Sequence, residues 1–284
     1  MNSMKNLLKS IYISFFPMFA LYALMVGIYK IAQGNYSILY LGQIISALSI
    51  LFLFGKLFIS SQARTKRNLP VYSFFLIIGF LLSIGSAFIE HVNMIDILIS
   101  TLLIVFWMLY LKWYSVFEKR ETEIIKSGNQ LPEFILEDVL KNKVSSNTFI
   151  GDPTIYLFYR GNWCPLCMAQ IKEIAGQYKE LEQLGVNMVL VSPQPHKFSS
   201  SLAKKYDLGF HFLTDVENKV SKQLGIYAEF GIPAGIQLLG YDSDTVLPTV
   251  IITNKNGRIV FKDLTDNYRM RPEPDTFLKV IRGI

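Results

Sequence analysis

Cysteine and histidine are scarce in this sequence. Its 284 residues include two Cys and three His. Two cysteines this close together cannot staple a fold, because a disulfide framework needs several well-separated pairs. A closed structural zinc site needs four ligands. Cys164 and Cys167 with any of His91, His196 and His211 do not supply them without a carboxylate or a second chain. No metal and no cofactor are therefore expected. Charge is missing too, from the middle of four long apolar stretches at about Ile11–Ile31, Ser37–Ile59, Val71–Ile89 and Ile95–Phe117.

What is present is apolar, and it is unevenly spread. Hydrophobic residues make up 51% of the chain, with most of the excess before residue 118. Each of the four stretches is close to the ~20 residues that cross a hydrocarbon core as a helix. Lys30, Lys56, Glu90, Asp96 and Lys112 sit near their ends, within reach of the interface. Tyr36, Tyr72, Trp107, Trp113 and Tyr114 also gather toward the ends, as interfacial aromatics do. The first run is too long for a signal peptide and lacks a small-x-small cleavage site. The expected architecture is an α-helical membrane domain of four transmembrane helices over 1–118, a linker over 119–130, and an α/β domain over 131–284.

The net charge of +6 belongs to the apolar half. Residues 1–126 hold eleven Lys/Arg against five Asp/Glu, and 127–284 hold seventeen of each. The basic balance is therefore no signal for nucleic acid; the partner it fits is a lipid bilayer. With four crossings, Lys5, Lys9, Arg64, Lys66, Arg67, Lys119, Arg120 and Lys126 share one side. Lys30 is alone on the other, beside Glu90, His91 and Asp96. The positive-inside rule then places both termini and the C-terminal half in the cytoplasm, on an inner membrane. The apolar half contains no Cys, so it cannot relay electrons by dithiol exchange. Its single His, His91, cannot provide a pair of axial haem ligands. A quinone pocket needs no diagnostic residue; anchoring or partner docking is the simpler reading.

After the charged segment Glu118–Gln130 the pattern alternates between strand and helix. Thr154–Tyr159 reads as a buried strand. A helix follows from near Cys164 to Leu184, with Met168, Ile171, Ala175, Tyr178 and Leu181 at helical spacing and Gly185 as its stop. Asn187–Val191 and Phe210–Leu213 read as strands, and Ser199–Tyr206 and Glu217–Leu224 as helices. Thr249–Thr253 and Arg258–Lys262 form a hairpin, and Pro274–Ile281 is a closing helix. Such alternation specifies an α/β sheet domain.

The chemistry lies in Tyr159-Arg160-Gly161-Asn162-Trp163-Cys164-Pro165-Leu166-Cys167. This segment follows a strand and opens a helix. Unpaired N–H groups in a helix's first turn carry partial positive charge and favour a thiolate at Cys164. Pro165 suits that turn, where its missing N–H costs nothing. The i,i+3 spacing puts Cys167 on the same face, within disulfide reach. Cys164, at the exposed end, is the expected nucleophile, and Cys167 resolves the mixed disulfide. Arg160 either adds positive potential to the thiols or is a solvated charge at the strand end. Two inert buried cysteines are the bland alternative; the strand–helix setting argues against it.

These residues resemble the peroxiredoxin-like branch (alkyl hydroperoxide reductase/thiol-specific antioxidant) of the thioredoxin superfamily. F-Y-R-G-N-W-C-P-L-C is similar to that branch's F-Y-R-G-x-W-C-P-x-C core. Leu131–Asp138 resembles its opening strand, Leu247-Pro248-Thr249 with the following hairpin its close, and Asp266–Pro274 its C-terminal signature. The resemblance covers about residues 128–284. It implies a thioredoxin fold, Cys164 and Cys167 as the catalytic pair, and a substrate-facing set of Trp163, Arg160, Pro165, Leu247 and Pro248. It also implies that Pro248 is a cis-proline facing Cys164. Two departures stand out. True peroxiredoxins carry a Pro seven residues, and a Thr or Ser three residues, before the peroxidatic Cys; here these are Leu157 and Gly161. Thioredoxins carry a buried Asp on the preceding strand, where Phe158 and its neighbours are apolar. The leading expectation is a membrane-anchored thiol-disulfide oxidoreductase partnered by a thiol/disulfide protein or a small-thiol reductant. The alternatives are a thiol-dependent peroxidase acting on hydroperoxides and a redox sensor coupled to a membrane partner. Tyr227–Val246 is a Gly-containing insertion placed to cover the site.

Overall fold

The computed structural model describes residues 3–60, 62–91, 93–118, 120 and 123–284. Lys119, counted above for orientation, lies outside them. The chain divides into two compact units. One is helical, comprising Ile11–Ser60 and Thr65–Val116; the other comprises Met1–Ser10, Ser61–Arg64 and Phe117–Ile284.

The helical unit is built from α1 (Ser3–Ala32, whose first turns group with the other unit), α2 (Ile38–Ile59), α3 (Pro70–Ser86) and α4 (Met94–Leu109). A π-helical turn, Tyr110–Tyr114, continues α4. Three of these helices are long and apolar enough to cross a membrane: Ser3–Ala32, Ile38–Ile59 and Met94–Tyr114. The third expected span falls short of that measure. Its apolar run reaches Ile89, but α3 stops at Ser86 after 17 residues, and the chain turns over Ala87–Ile89. At 1.5 Å per residue that is about 26 Å, against a core of about 30 Å.

Several polar side chains inside this unit are hydrogen-bonded within it. Gln43 donates to the Ala23 carbonyl at 2.6 Å. Asp96, expected to reach an interface, is instead buried and accepts the Tyr40 hydroxyl at 2.8 Å. Trp107 is likewise buried and donates its indole N–H to Ser73 Oγ at 3.0 Å. Ser83 Oγ bonds to the Leu39 carbonyl, Ser46 Oγ to Leu76 and Ser49 Oγ to Tyr72, which sets α3 antiparallel along α2. Small residues make that approach possible. A Cβ at Gly42 would lie 2.3 Å from the Gly79 carbonyl oxygen, and one at Gly79 would lie 2.4 Å from that of Gly42.

The second unit is an α/β domain. Its strands are β1 (Ile135–Glu137), β2 (Lys143–Ser145), β3 (Thr154–Phe158), β4 (Asn187–Ser192), β5 (His211–Thr214), β6 (Tyr227–Ala228), β7 (Thr245–Val246), β8 (Thr249–Thr253) and β9 (Ile259–Asp263). Its helices are α5 (Pro165–Gly176), α6 (Tyr178–Gln183), α7 (His196–Lys205), α8 (Lys219–Gln223) and α9 (Pro274–Arg282). Seven strands form one sheet in the order β2-β1-β5-β4-β3-β8-β9, and β6 pairs with β7 separately. β3, β4 and β5 are mutually parallel, whereas β8 and β9 run antiparallel to their neighbours. All five β3 residues are buried, as a central strand covered on both faces requires. One face carries Tyr156, Phe158, Val189, Val191, Leu213 and Ile251 into a common core. The long helix expected over Cys164–Leu184 is two helices, broken at Gln177 just after Gly176. The stretch read as a linker is packed against the sheet. Ile125 is fully buried in the core, and Gly128, Asn129 and Leu131 bond along Gly257–Ile259.

Gly42→Val is expected to destabilise the helical unit by roughly 1–3 kcal/mol, the usual cost of overpacking. Gly55→Ala, whose Cβ would meet nothing within 4 Å, serves as control. Thermal unfolding of the full chain in detergent compares them; equal transitions would show that the α2–α3 seam is loose.

Candidate active site

β3 delivers the chain to the site. Its last hydrogen bond, Tyr159 N–H to the Val191 carbonyl at 2.9 Å, carries the sheet one residue beyond Phe158. The chain then turns at Gly161, whose φ of +144° is a conformation L-residues seldom adopt. Cys164 N–H closes the turn on the Gly161 carbonyl at 3.2 Å, and Pro165 starts α5. Cys164 is the N-cap, in extended conformation, and its carbonyl accepts from Met168 N–H at 3.1 Å. The strand–turn–helix placement expected for the pair is thus realised.

Neither sulfur is exposed. Cys164 is 2% accessible and Cys167 0%, so the expectation of an exposed nucleophile is not met. The two thiols are unlinked and hydrogen-bonded to each other. Burial opposes ionisation of Cys167. It is outweighed by the hydrogen bond from Cys164, the charge of Arg271, the Arg160 main-chain N–H and the Arg160 charge, which together lower Cys167 to about 5. Giving that hydrogen bond, and burial, push Cys164 well above the ordinary thiol value. The pair therefore holds one thiolate and one proton across the bond between the sulfurs, with Arg271 drawing the charge toward Cys167. Tyr159, fully buried, is held in its protonated form by burial first and by the nearby Cys167 charge.

Arg271 escapes sequence reasoning. Its Nη2 lies 3.5 Å from Cys167 Sγ and its Nη1 donates to Gln170 Oε1 at 2.8 Å. It falls within the C-terminal signature, but no spacing relates it to a thiol 104 residues earlier. Gln194 is a second such residue. Buried just after β4, it accepts Asn162 N–H at 2.8 Å and donates to the Tyr159 hydroxyl at 3.0 Å, fixing both ends of the turn.

Arg160 is buried, which removes the solvated-charge alternative. Its guanidinium stacks 4.7 Å over the Trp163 ring and donates to the Gly231 carbonyl. The segment Tyr227–Val246 does cover this turn. Thr245 Oγ1 donates to the Arg160 carbonyl at 2.9 Å, and Tyr241, stacked 4.3 Å from Phe198, donates its hydroxyl to Asn162 Oδ1.

Arg160, Trp163, Cys164, Pro165 and Cys167 thus converge. Leu247 and Pro248 reach the same end of the sheet, since Thr249 pairs with Phe158. The cis-proline expectation is corrected: the Leu247–Pro248 peptide is trans, as are all those described. Local bonding accounts for it. Leu247 N–H is held by the Ile226 carbonyl at 2.7 Å and its carbonyl by Thr249 Oγ1, while Arg120 Nη2 donates to the Pro248 carbonyl at 3.2 Å. Among the described residues no cluster of three or more His, Cys, Asp or Glu could hold a metal.

A dithiol at a helix start beside a parallel βαβ unit is a thioredoxin-like arrangement. Residues 127–262 match the AhpC/TSA family. The chloroplastic peroxiredoxin Q of Sedum lineare is 30% identical over 137 residues, 48% of this chain and 71% of that protein. That of Gentiana triflora is 28% identical over 172 residues, 60% and 70% of the two chains. The putative peroxiredoxin bcp of Haemophilus influenzae is 24% identical over 157 residues, 55% and 96%. The chain belongs to the AhpC/TSA, or peroxiredoxin, family, and is an oxidoreductase of that thiol-dependent class.

Arg271→Gln is expected to raise the thiolate midpoint from about 5 by roughly 1–3 pH units, as loss of an adjacent opposite charge does. Thiolate absorbance near 240 nm, followed against pH, measures it. An unmoved midpoint would remove Arg271 from the site.

Proposed function

We propose that this chain is a membrane-associated thiol peroxidase that reduces small hydroperoxides through Cys164 and Cys167. The observation that carries the reading is enclosure: both sulfurs are buried, with a guanidinium on one of them. A protein disulfide needs a protruding sulfur to attack, whereas a small hydroperoxide needs only a narrow path. The peroxidase alternative thereby overtakes disulfide exchange, and the relatives named peroxiredoxin favour it.

The proton of the pair is shared across the hydrogen bond between the sulfurs, and the reacting form carries it on Cys167 and the charge on Cys164. Cys164 sulfur attacks the hydroperoxide and the O–O bond breaks. Sulfur is oxidised to sulfenic acid, and the released alkoxide takes the proton that Cys164 gave up, leaving as alcohol. Cys167 thiolate then attacks Cys164 sulfur and displaces hydroxide, which gains a solvent proton to become water. The resulting disulfide is reduced by a small thiol. Above about pH 5 the pair holds one thiolate, so the rate is expected to be flat from about pH 6 to 8 and to fall as pH drops through about 5.

One hydroperoxide should consume both thiols of the reduced full chain and leave one intramolecular disulfide, at a rate about a hundredfold above a free thiol. Cys164→Ser should be inert, and Cys167→Ser should accumulate a dimedone-reactive sulfenic acid. Full activity in Cys164→Ser, or faster reaction with disulfides than with hydroperoxides, would reject the assignment.

The proposed membrane topology has four crossings with both termini cytoplasmic. α3 is short, yet its hydrogen bonds run along α2 from Leu39 to Ser49, which supports its crossing beside that helix. Alkaline phosphatase fused after Ile284 should be inactive, and fused after Gln33 active. An active C-terminal fusion would reverse the orientation or reduce the crossings to three.

A further inference from the structure

Trp163 holds an indole N–H that the fold does not use. Its Nε1 is buried and has no hydrogen-bond partner among the described residues. Buried Trp N–H groups usually find an acceptor, and leaving a donor unsatisfied costs about 1–3 kcal/mol. The location is specific. A Cβ on Gly161 would stand 2.7 Å from Trp163 Nε1 and 2.8 Å from Cδ1, so the indole edge fills the space a side chain at 161 would enter. Gly161 is one residue from Arg160, whose main-chain N–H bonds to Cys167 sulfur, and its own carbonyl accepts Cys164 N–H. The indole edge therefore packs against the turn that leads into Cys164. Its ring is clamped under the Arg160 guanidinium, which is itself bonded to Gly231.

We propose that Trp163 Nε1–H is the donor that receives the leaving oxygen of the hydroperoxide, in place of a hydroxyl at position 161. This rests on the peroxidase reading and deepens it. When Cys164 sulfur attacks one oxygen, the O–O pair of electrons passes to the other, which becomes an alkoxide until it is protonated. A fixed N–H aimed at that oxygen stabilises charge that exists only as the bond breaks, and it requires no reorganisation. An indole N–H donates and never accepts, so it also cannot deprotonate the peroxide or compete for the Cys164 proton.

The test compares oxidants on the full chain in detergent. Trp163→Phe keeps an aromatic ring beneath Arg160 and removes the N–H. Oxidation by tert-butyl hydroperoxide, whose leaving alkoxide is strongly basic, should slow by about 10²-fold. Oxidation by peracetic acid, whose leaving carboxylate needs no donor, should slow only a few-fold. Trp163→His, which retains a ring N–H, should recover part of the loss with tert-butyl hydroperoxide. The thiolate titration should be the same in all three proteins. An equal loss with both oxidants, or none with either, would overturn the proposal while leaving the peroxidase reading intact. A wild-type chain no faster than a free thiol with either oxidant would overturn both.

Discussion

Burial of a thiolate is the constraint to which the rest of the α/β unit answers. Cys167 is fully inaccessible, and a charge there is tolerable only if paired. Arg271 supplies the pair, the Arg160 main-chain N–H and the Cys164 S–H supply hydrogen bonds, and Gln170 holds the guanidinium from the other side. Removing one partner of such a pair costs roughly 3–5 kcal/mol, because it strands the other charge. The chain must therefore return past β9 to bring Arg271 over α5. The C-terminal segment is thereby part of the site, although it lies about a hundred residues from the cysteines.

This return explains which parts were legible in the sequence. β3, β4, β8 and the opening of α5 follow from runs of β-branched and aromatic residues punctuated by Gly and Pro, and these signals are local. The Cys164–Cys167 pair follows from helical spacing. Arg271 and Gln194 do not, because their contacts cross long stretches of chain and carry no periodicity. The break at Gln177 was masked by apolar spacing that continues in phase from Ile174 to Leu181. Hydropathy overran α3 for a related reason: it registers Ala87–Ile89 as apolar but not as a turn. Pro248 shows a different failure. Its cis geometry was inferred from family likeness, whereas Arg120, Ile226 and Thr249 set the local bonding.

The helical unit misled in the opposite direction. Its ionisable and aromatic residues lie near the ends of the apolar runs, so an interfacial role follows from sequence alone. Asp96 and Trp107 instead turn inward, each meeting a hydroxyl on another helix. In a bilayer such contacts and close backbone approach must supply what hydrophobic burial supplies in water. Gly42 and Gly79 provide the approach, and Ser46, Ser49 and Ser83 line the same seam with hydroxyls bonded across it.

Enclosure of the dithiol sets a selection that charge alone would not. A thiolate with a low pKa is reactive toward disulfides, alkylating agents and peroxides alike, and only access distinguishes them. The turn Arg160–Trp163 is bound from below by Gln194 and from above by Tyr241, Thr245 and Gly231. Most of those bonds go to main-chain or amide groups of the turn, so the cover holds the backbone without occupying either sulfur. The same bonds fix the indole of Trp163 against Gly161, where a flexible cover would let it rotate away. In the proposed mechanism rigidity of the turn does two jobs: it keeps large disulfides from the sulfurs, and it holds the Trp163 N–H in place for a small oxidant.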